Sequence, residues 1–301
     1  MSARDLTPQP PVSEAEHGLR SARATARVAR TEAPVPHPSR RHIGPWLRET
    51  AALILPAVIA LALAFGAWEA WIEIKDVKPY LVPAPSAVVQ RLWEDPWFFT
   101  QEGLRTLEAA MLGFLAGTGV ALALATLMSQ ARVLERSIFP LAILVKVTPI
   151  VAIAPLLTIW FGFGLMPKVF IAGLIVFFPI MVNALIGFRS VNPNALALFE
   201  SLSASRFEVF WRLRLPSSLP YLFAAFRFSI PLSVIGAVVA EWFSGDRGLG
   251  SVIYIANNNL DMETAFAGVF MLAILGVGLF MITTAIEGRV LFWHESNWDV
   301  R

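Results

Sequence analysis

Few residues in this chain have the types and spacing that chemistry needs. None of the 301 residues is cysteine, which removes disulfide frameworks and thiolate nucleophiles. The four histidines, His17, His37, His42 and His294, all lie outside the apolar stretches, so a buried histidine metal site is not expected. Glu69 and Glu73 are one helical turn apart, a spacing that paired carboxylates use in acid–base work. No nucleophile or metal ligand accompanies them, and an enzyme built on them is a weak alternative. Gly245-Asp-Arg-Gly-Leu-Gly250 looks superficially like a phosphate loop, but it follows an apolar helical stretch rather than a strand. Nucleotide binding there is rejected in favour of a tight turn leading into a short amphipathic helix over 252–256. A P-loop needs glycine-lysine ahead of serine or threonine. The four lysines are Lys75, Lys78, Lys146 and Lys168, and none follows glycine. The chain therefore has no standard ATP site, and neither a cofactor nor a metal is expected.

The elements that position these residues follow from composition. Hydrophobic residues make up 56% of the chain and charged residues 15%, against about 25% charged in soluble domains. Mean hydropathy is +0.62. So little polar surface cannot cover a soluble protein of this size. The net charge of +2 is no nucleic-acid stripe. Residues 1–49 are different in kind, with eight Arg, five acids and seven Pro. Such a segment cannot bury enough surface to offset its ordering entropy, so a disordered tail is expected there. The apolar stretch that follows is too long for the core of a cleaved signal and reads as an uncleaved anchor.

About 20 apolar residues cross a bilayer as a helix. Six stretches qualify: 51–72, 104–128, 137–161, 168–188, 219–242 and 265–288. The fold class is thus all-α, a polytopic membrane protein of six spans over residues 50–301. Proline and glycine within the spans (Pro56, Gly113, Gly117, Pro149, Pro155, Pro179, Pro231) are tolerable, because neighbouring helices satisfy freed backbone groups. Trp68, Trp71, Trp160, Trp242 and Trp293 fall at span ends, where an indole suits the headgroup layer. With both termini cytoplasmic, inner segments carry 16 Lys and Arg and outer segments five, as the positive-inside rule favours. No internal repeat relates the two halves, which weighs against an inverted-repeat transporter.

Residues 189–218 form the longest inner loop. Asn192-Pro193 is an N-cap and N1 pair, opening a helix that ends near Leu202. Ser205 and Glu208 fit a capping box for a second helix, which Pro216 is expected to break. Leu196, Phe199 and Leu202 share one face of the first helix, and Phe207, Phe210 and Trp211 share one face of the second. Two readings stand: a short amphipathic helix inserted into a partner's groove, or a helix pair lying on the membrane surface.

The loop and its flanks resemble the permease subunit of ABC importers of the nitrate/sulfonate/taurine type. That family's signature is Glu-Ala-Ala, three residues, Gly, nine residues, then Ile-x-Leu-Pro. Aligned on Leu213-Arg214-Leu215-Pro216, the Glu-Ala-Ala positions fall at Ala197, Leu198 and Phe199 and the glycine at Ser203, followed by Ala204-Ser205-Arg206. The resemblance extends over roughly 50–295 through Val82-Pro-Ala-Pro-Ser86, Thr148 to Pro155, Leu215 to Pro220, Arg227, Gly236 to Glu241 and Gly248-Leu-Gly250. It implies a bacterial inner-membrane protein working as a dimer of permeases, most simply a homodimer. It also implies a cytoplasmic ATP-binding subunit gripping the loop and a periplasmic or lipid-anchored solute-binding protein outside. The ATPase-coupling residues would be Ala197, Leu198, Phe199, Ser203 to Phe207, Phe210, Trp211, Leu215 and Pro216. A stand-alone secondary transporter or channel is the alternative.

For the pathway, Lys146 lies inside the third span. A lysine at the bilayer centre costs about 2.5–3.5 kcal/mol, so it faces water or protein, either attracting an anionic or polar solute or bonding a neighbouring helix. The matched segment places Thr148, Pro149 and Pro155 in the same span, where the prolines leave carbonyls free to line a cavity. Arg227 reads as structural, near enough to the inner interface to snorkel. Glu241 stands where the family pattern keeps a Glu, either at an outer gate or solvated at the interface. Glu108 is expected in the first turn of the second span as an interfacial carboxylate.

Overall fold

The computed structural model describes residues 43–292 apart from 245, with side chains from 55 onward. The tail through residue 42, Trp293 and His294 lie outside the described residues. The chain divides into two compact units, 1–62 and 63–301. The described part of the first unit is helical, the opening stretch of α1 (Ile43–Lys75), which begins ahead of the predicted boundary at 51.

The elements of the second unit are all helical among the described residues. After the end of α1 come α2 (Pro85–Glu94), α3 (Pro96–Gln130), α4 (Arg132–Val147), α5 (Ile150–Phe161) and α6 (Leu165–Arg189). Then follow α7 (Pro193–Ser201), α8 (Arg206–Val209), a π-turn at Phe210–Arg214, α9 (Leu215–Ser244), α10 (Leu249–Asn258) and α11 (Met262–Val290). Among the described residues five helices are long and apolar enough to cross a membrane, and α4 with α5 makes a sixth crossing if counted as one broken span.

That break corrects the expectation of one straight helix over 137–161. The axes of α4 and α5 differ by 93°. The cause is local. Proline excludes the α conformation from the residue before it, and Thr148 accordingly sits at φ −64°, ψ 128°, ending α4 just before Pro149. At about 1.5 Å per residue α5 is roughly 18 Å long, too short to cross alone. The second span also begins earlier than expected. Asp95 caps α3, its carboxylate accepting from Phe98 N at 3.0 Å, so Glu108 lies in the fourth turn rather than the first and pairs at 3.5 Å with Arg105.

Helices in a bilayer gain little from the hydrophobic effect against each other, so they pack by close fit of small residues. α6 is the centre of that packing. A Cβ on Gly113 of α3 would stand 2.8 Å from the Val169 carbonyl of α6, and one on Gly117 would stand 2.9 Å from Gly173 Cα. On the other side of α6, α9 brings Gly236 so near that a Cβ would lie 2.7 Å from Ala172 Cα. Towards the end of α6 that leads into the 189–218 loop, Phe114, Ala121, Met128, Ile180, Met181 and Phe188 form the largest buried cluster among the described residues. Arg227 and Glu287 join α9 to α11, with Nε donating to the carboxylate at 3.0 Å. The arginine is thus structural, through an ion pair between spans rather than by snorkelling. The Glu69–Glu73 pair is dissolved likewise, since the Glu69 carboxylate accepts the Ser86 backbone N–H at 3.1 Å and so caps α2.

Replacing Gly117 by Val is expected to cost about 1–3 kcal/mol through overpacking, read as a lower unfolding temperature of the detergent-solubilised protein. Gly119→Val, on the same helix but with nothing within 4 Å, should change little.

Candidate functional site

Three groups of residues deserve a functional reading, and each is held by a different physical device. The first is the loop over residues 189–218. Asn192 caps α7 by accepting from Asn194 N at 2.9 Å, and Pro193 opens the helix as expected. Its C-terminus closes through two bonds, Ala204 N to Phe199 O at 3.0 Å and Ser203 N to Glu200 O at 2.9 Å. This Schellman pattern needs a left-handed residue, and Ser203 supplies it at φ +55°. A non-glycine residue there costs about 1–2 kcal/mol, which explains why a glycine is the natural occupant of that position. The capping box forms as read. Glu208 N donates to Ser205 Oγ at 3.2 Å, and Ser205 N donates to the Glu208 carboxylate at 3.0 Å.

Pro216 does not break the second helix. The π-turn intervenes, with Leu215 N bonded to Phe210 O. This wider turn absorbs the proline, which has no N–H to give and whose ring would crowd the carbonyl four residues back in a regular helix. The loop helix is therefore continuous with α9 over Arg206–Ser244. Phe207 and Trp211 are exposed and lie against each other in a tilted arrangement, centroids 5.9 Å apart and planes at 57°. Phe210 turns inward against Phe188 at 5.3 Å. Ala197, Leu198, Ser203, Ser205, Arg206 and Pro216 are exposed, while Phe199, Ala204 and Leu215 are half-buried. Between this helix and the end of α3 lies a groove of about 630 Å³ lined by Gln130, Glu200, Arg206, Phe207, Trp211 and Arg214.

The second group is the break in the third span. Lys146, Thr148 and Pro149 meet there and are exposed. The Lys146 ammonium sits 4.6 Å from the centre of the Phe178 ring, a cation–π contact that leans it on α6. The Thr148 hydroxyl donates to Leu144 O at 2.8 Å. Pro155 is half-buried farther along α5, whose Ala154 and Leu157 pack against Ile171 and Ala240.

Glu241 does not join them. It is neither solvated nor open to a cavity, but fully buried at the start of α10. The first N–H groups of a helix lack intrahelical partners and attract negative charge. Here three are taken: Gly248 N by Glu102 at 2.5 Å, Leu249 N by Thr106 Oγ1 at 2.9 Å and Gly250 N by Glu241 at 2.8 Å. The Thr106 hydroxyl lies 3.0 Å from both Glu241 oxygens, completing the circuit. Gly248, at φ +107°, has no room for a Cβ beside the Glu241 carboxylate. The buried Lys168 ammonium closes the loop, donating to Arg247 O at 2.7 Å and pairing with Asp246 at 2.7 Å. Sequence reading missed Glu102, Thr106, Lys168 and Asp246. The one signal was the Gly-Leu-Gly ahead of α10, which marks backbone in close approach. The helix itself is longer than the 252–256 expected.

No group of three or more His, Cys, Asp or Glu able to hold a metal occurs among the described residues. The family of the binding-protein-dependent transport system inner membrane component matches residues 112–292. The chain belongs to that family, the permease subunits of ABC importers. The matched stretch runs from the middle of α3 to the end of α11 and so holds both helix crossings of α6, the broken span and the loop. This permease is 32% identical over 250 residues to a riboflavin transport system permease protein of Chloroflexus aurantiacus, covering 82% of this chain and 92% of the relative. A formylaminopyrimidine transport permease protein of Halalkalibacterium halodurans is 33% identical over 222 residues, 73% of this chain and 88% of its own. The taurine transport system permease protein of Escherichia coli is 26% identical over 256 residues, 83% of this chain and 93% of its own. The permease is a membrane protein and a transport subunit.

Partial burial works to raise the Asp246 carboxyl, but the Lys168 ammonium, the Arg247 N–H and the Ser244 hydroxyl outweigh it and hold it below the usual carboxylate range. A depressed carboxyl adds stability above its unfolded value of about 3.9, and that contribution is lost as pH falls through the folded value. Asp246→Asn should therefore lower the unfolding temperature at pH 7, and the gap from wild type should close as both are measured below about pH 4.

Proposed function

We propose that this permease is driven by a separate cytoplasmic ATPase subunit that grips residues 194–213, and that a solute-binding protein delivers its substrate from outside. The observation that carries this reading is the exposed Phe207–Trp211 pair on a helix continuous with α9. A partner that seizes those rings moves a membrane span directly, with no flexible joint between. Large aromatic side chains at the centre of a contact supply most of its binding energy. Ala197, Leu198, Ser203, Ser205 and Arg206 form the surrounding docking surface, with Ala204, Phe199, Phe210, Leu215 and Pro216 setting its shape. ATP hydrolysis belongs to the partner, and the missing glycine-lysine pair supports that division.

The permease works as a dimer of two such chains, with both termini in the cytoplasm and the pathway turning alternately inward and outward. Lys146, Thr148, Pro149 and Pro155 line that pathway at the broken span. Glu241 contributes to its outer end by holding the turn at Gly248 rather than by touching solute. The cargo is a small polar or anionic solute. Higher identity to the riboflavin and formylaminopyrimidine permeases than to the taurine permease supports a nitrogen heterocycle over a sulfonate.

Phe207→Ala and Trp211→Ala are each expected to weaken ATPase binding by about 30-fold or more, as loss of an aromatic anchor does. Co-purification of the ATPase from solubilised membranes is the readout. Undiminished retention by the double variant would remove the loop from the docking site.

A further inference from the structure

Both ends of the 189–214 loop are fastened to one place, the last turn of α3. A helix C-terminus leaves carbonyls without intrahelical partners, and α3 carries no basic residue in its own last turn to meet them. Two arginines from elsewhere do so. Arg189, where α6 enters the loop, donates from Nη2 to Met128 O at 3.2 Å. Arg214, where the π-turn leaves it, donates from Nη1 to Ser129 O at 3.3 Å. Arg189 also forks onto Glu135 of α4, at 2.9 Å from Nη1 and 2.7 Å from Nη2. The Phe188–Phe210 contact bridges the same two ends.

We infer that Arg189, Glu135 and Arg214 form the joint through which displacement of the loop is passed to α3 and α4, so that they are positioning residues for transport. This rests on the loop being the ATPase-docking element. The joint has two outputs. α3 runs from Met128 to Thr106 in the outer turn, and α4 runs from Glu135 to Lys146 at the break. The pair of Arg189 and Glu135 is partly exposed, and such pairs add little to stability, so removing it tests transmission rather than folding. Its fork geometry, by contrast, fixes direction as well as distance.

The test uses the full permease with its ATPase and binding protein in proteoliposomes, comparing Arg189→Met, Glu135→Gln and Arg214→Met. Arg189→Met and Glu135→Gln should retain the ATPase at the wild-type level, because Phe207 and Trp211 are untouched; Arg214→Met, whose residue lines the groove beside those rings, is compared at equal bound ATPase. Solute taken up per ATP hydrolysed should fall by about five- to tenfold, the scale of a modest coupling between sites. Arg214→Met acts from the other end of the loop with the Arg189–Glu135 pair intact, so a folding defect at Arg189 alone does not imitate the joint. Unchanged uptake per ATP in all three variants overturns the inference, as does loss of the ATPase together with uptake. Failure of the wild-type chain to hold an ATPase is a different result and removes the underlying reading of the loop.

Discussion

Backbone contact between α3 and α6, at Gly113 and Gly117 on one side and Val169 and Gly173 on the other, is the constraint on which the other helices depend. Where the solvent is lipid, two helices bind only as closely as their smallest residues allow. That contact sets α3 as a strut of about 50 Å, with a different duty at each end. At its N-terminal end Thr106 and Glu102 accept the first amides of α10. At its C-terminal end the Met128 and Ser129 carbonyls receive Arg189 and Arg214. α9 closes on the opposite face of α6 through Gly236, and it extends without a break into the loop helix. A shift at the loop therefore has stiff elements to act on rather than side chains that absorb it.

The charges buried in the helix packing are few, and three of them have partners of matching form. Glu241 is tolerable in a buried site because a helix N-terminus and a hydroxyl supply its donors, and a buried carboxylate without them is costly. Lys168 is tolerable because Asp246 and a backbone carbonyl accept hydrogen bonds from its ammonium, and Arg227 because Glu287 faces it. Lys146 is the contrast. Its contact is the face of Phe178, a weaker partner than a carboxylate, and the residue is exposed.

Much of this was legible in the sequence, and the exceptions have physical causes. The spans show because burial in lipid demands apolar residues all round, and the loop caps show because Asn192, Ser205 and Glu208 act over three residues or fewer. The break at Thr148-Pro149 was also written locally, in the rule for residues before proline, but hydropathy runs through it unchanged. Pro216 misled for the opposite reason. A proline signals a helix end only if the turn around it is regular, and the π-turn at 210–214 is not announced by composition. The turn ahead of α10 was largely illegible because Thr106, Lys168, Glu241 and Gly250 come together across more than a hundred residues of chain, and only the Gly-Leu-Gly at the start of α10 gives a local sign of close approach, without naming the partners. Glu241 in particular reads as either a gate residue or a solvated one beside Trp242 until the start of α10 is seen folded over it.

On the proposed reading the chain is a membrane subunit whose loop docks a partner and whose transport is powered by that partner's ATP hydrolysis. ATP-dependent uptake into proteoliposomes, measured with and without the partner ATPase and with an ion gradient as the only alternative drive, tests this most directly. The account predicts uptake with ATP, binding protein and ATPase together, and none when the ATPase is omitted. Uptake by the permease alone on an ion gradient would contradict it.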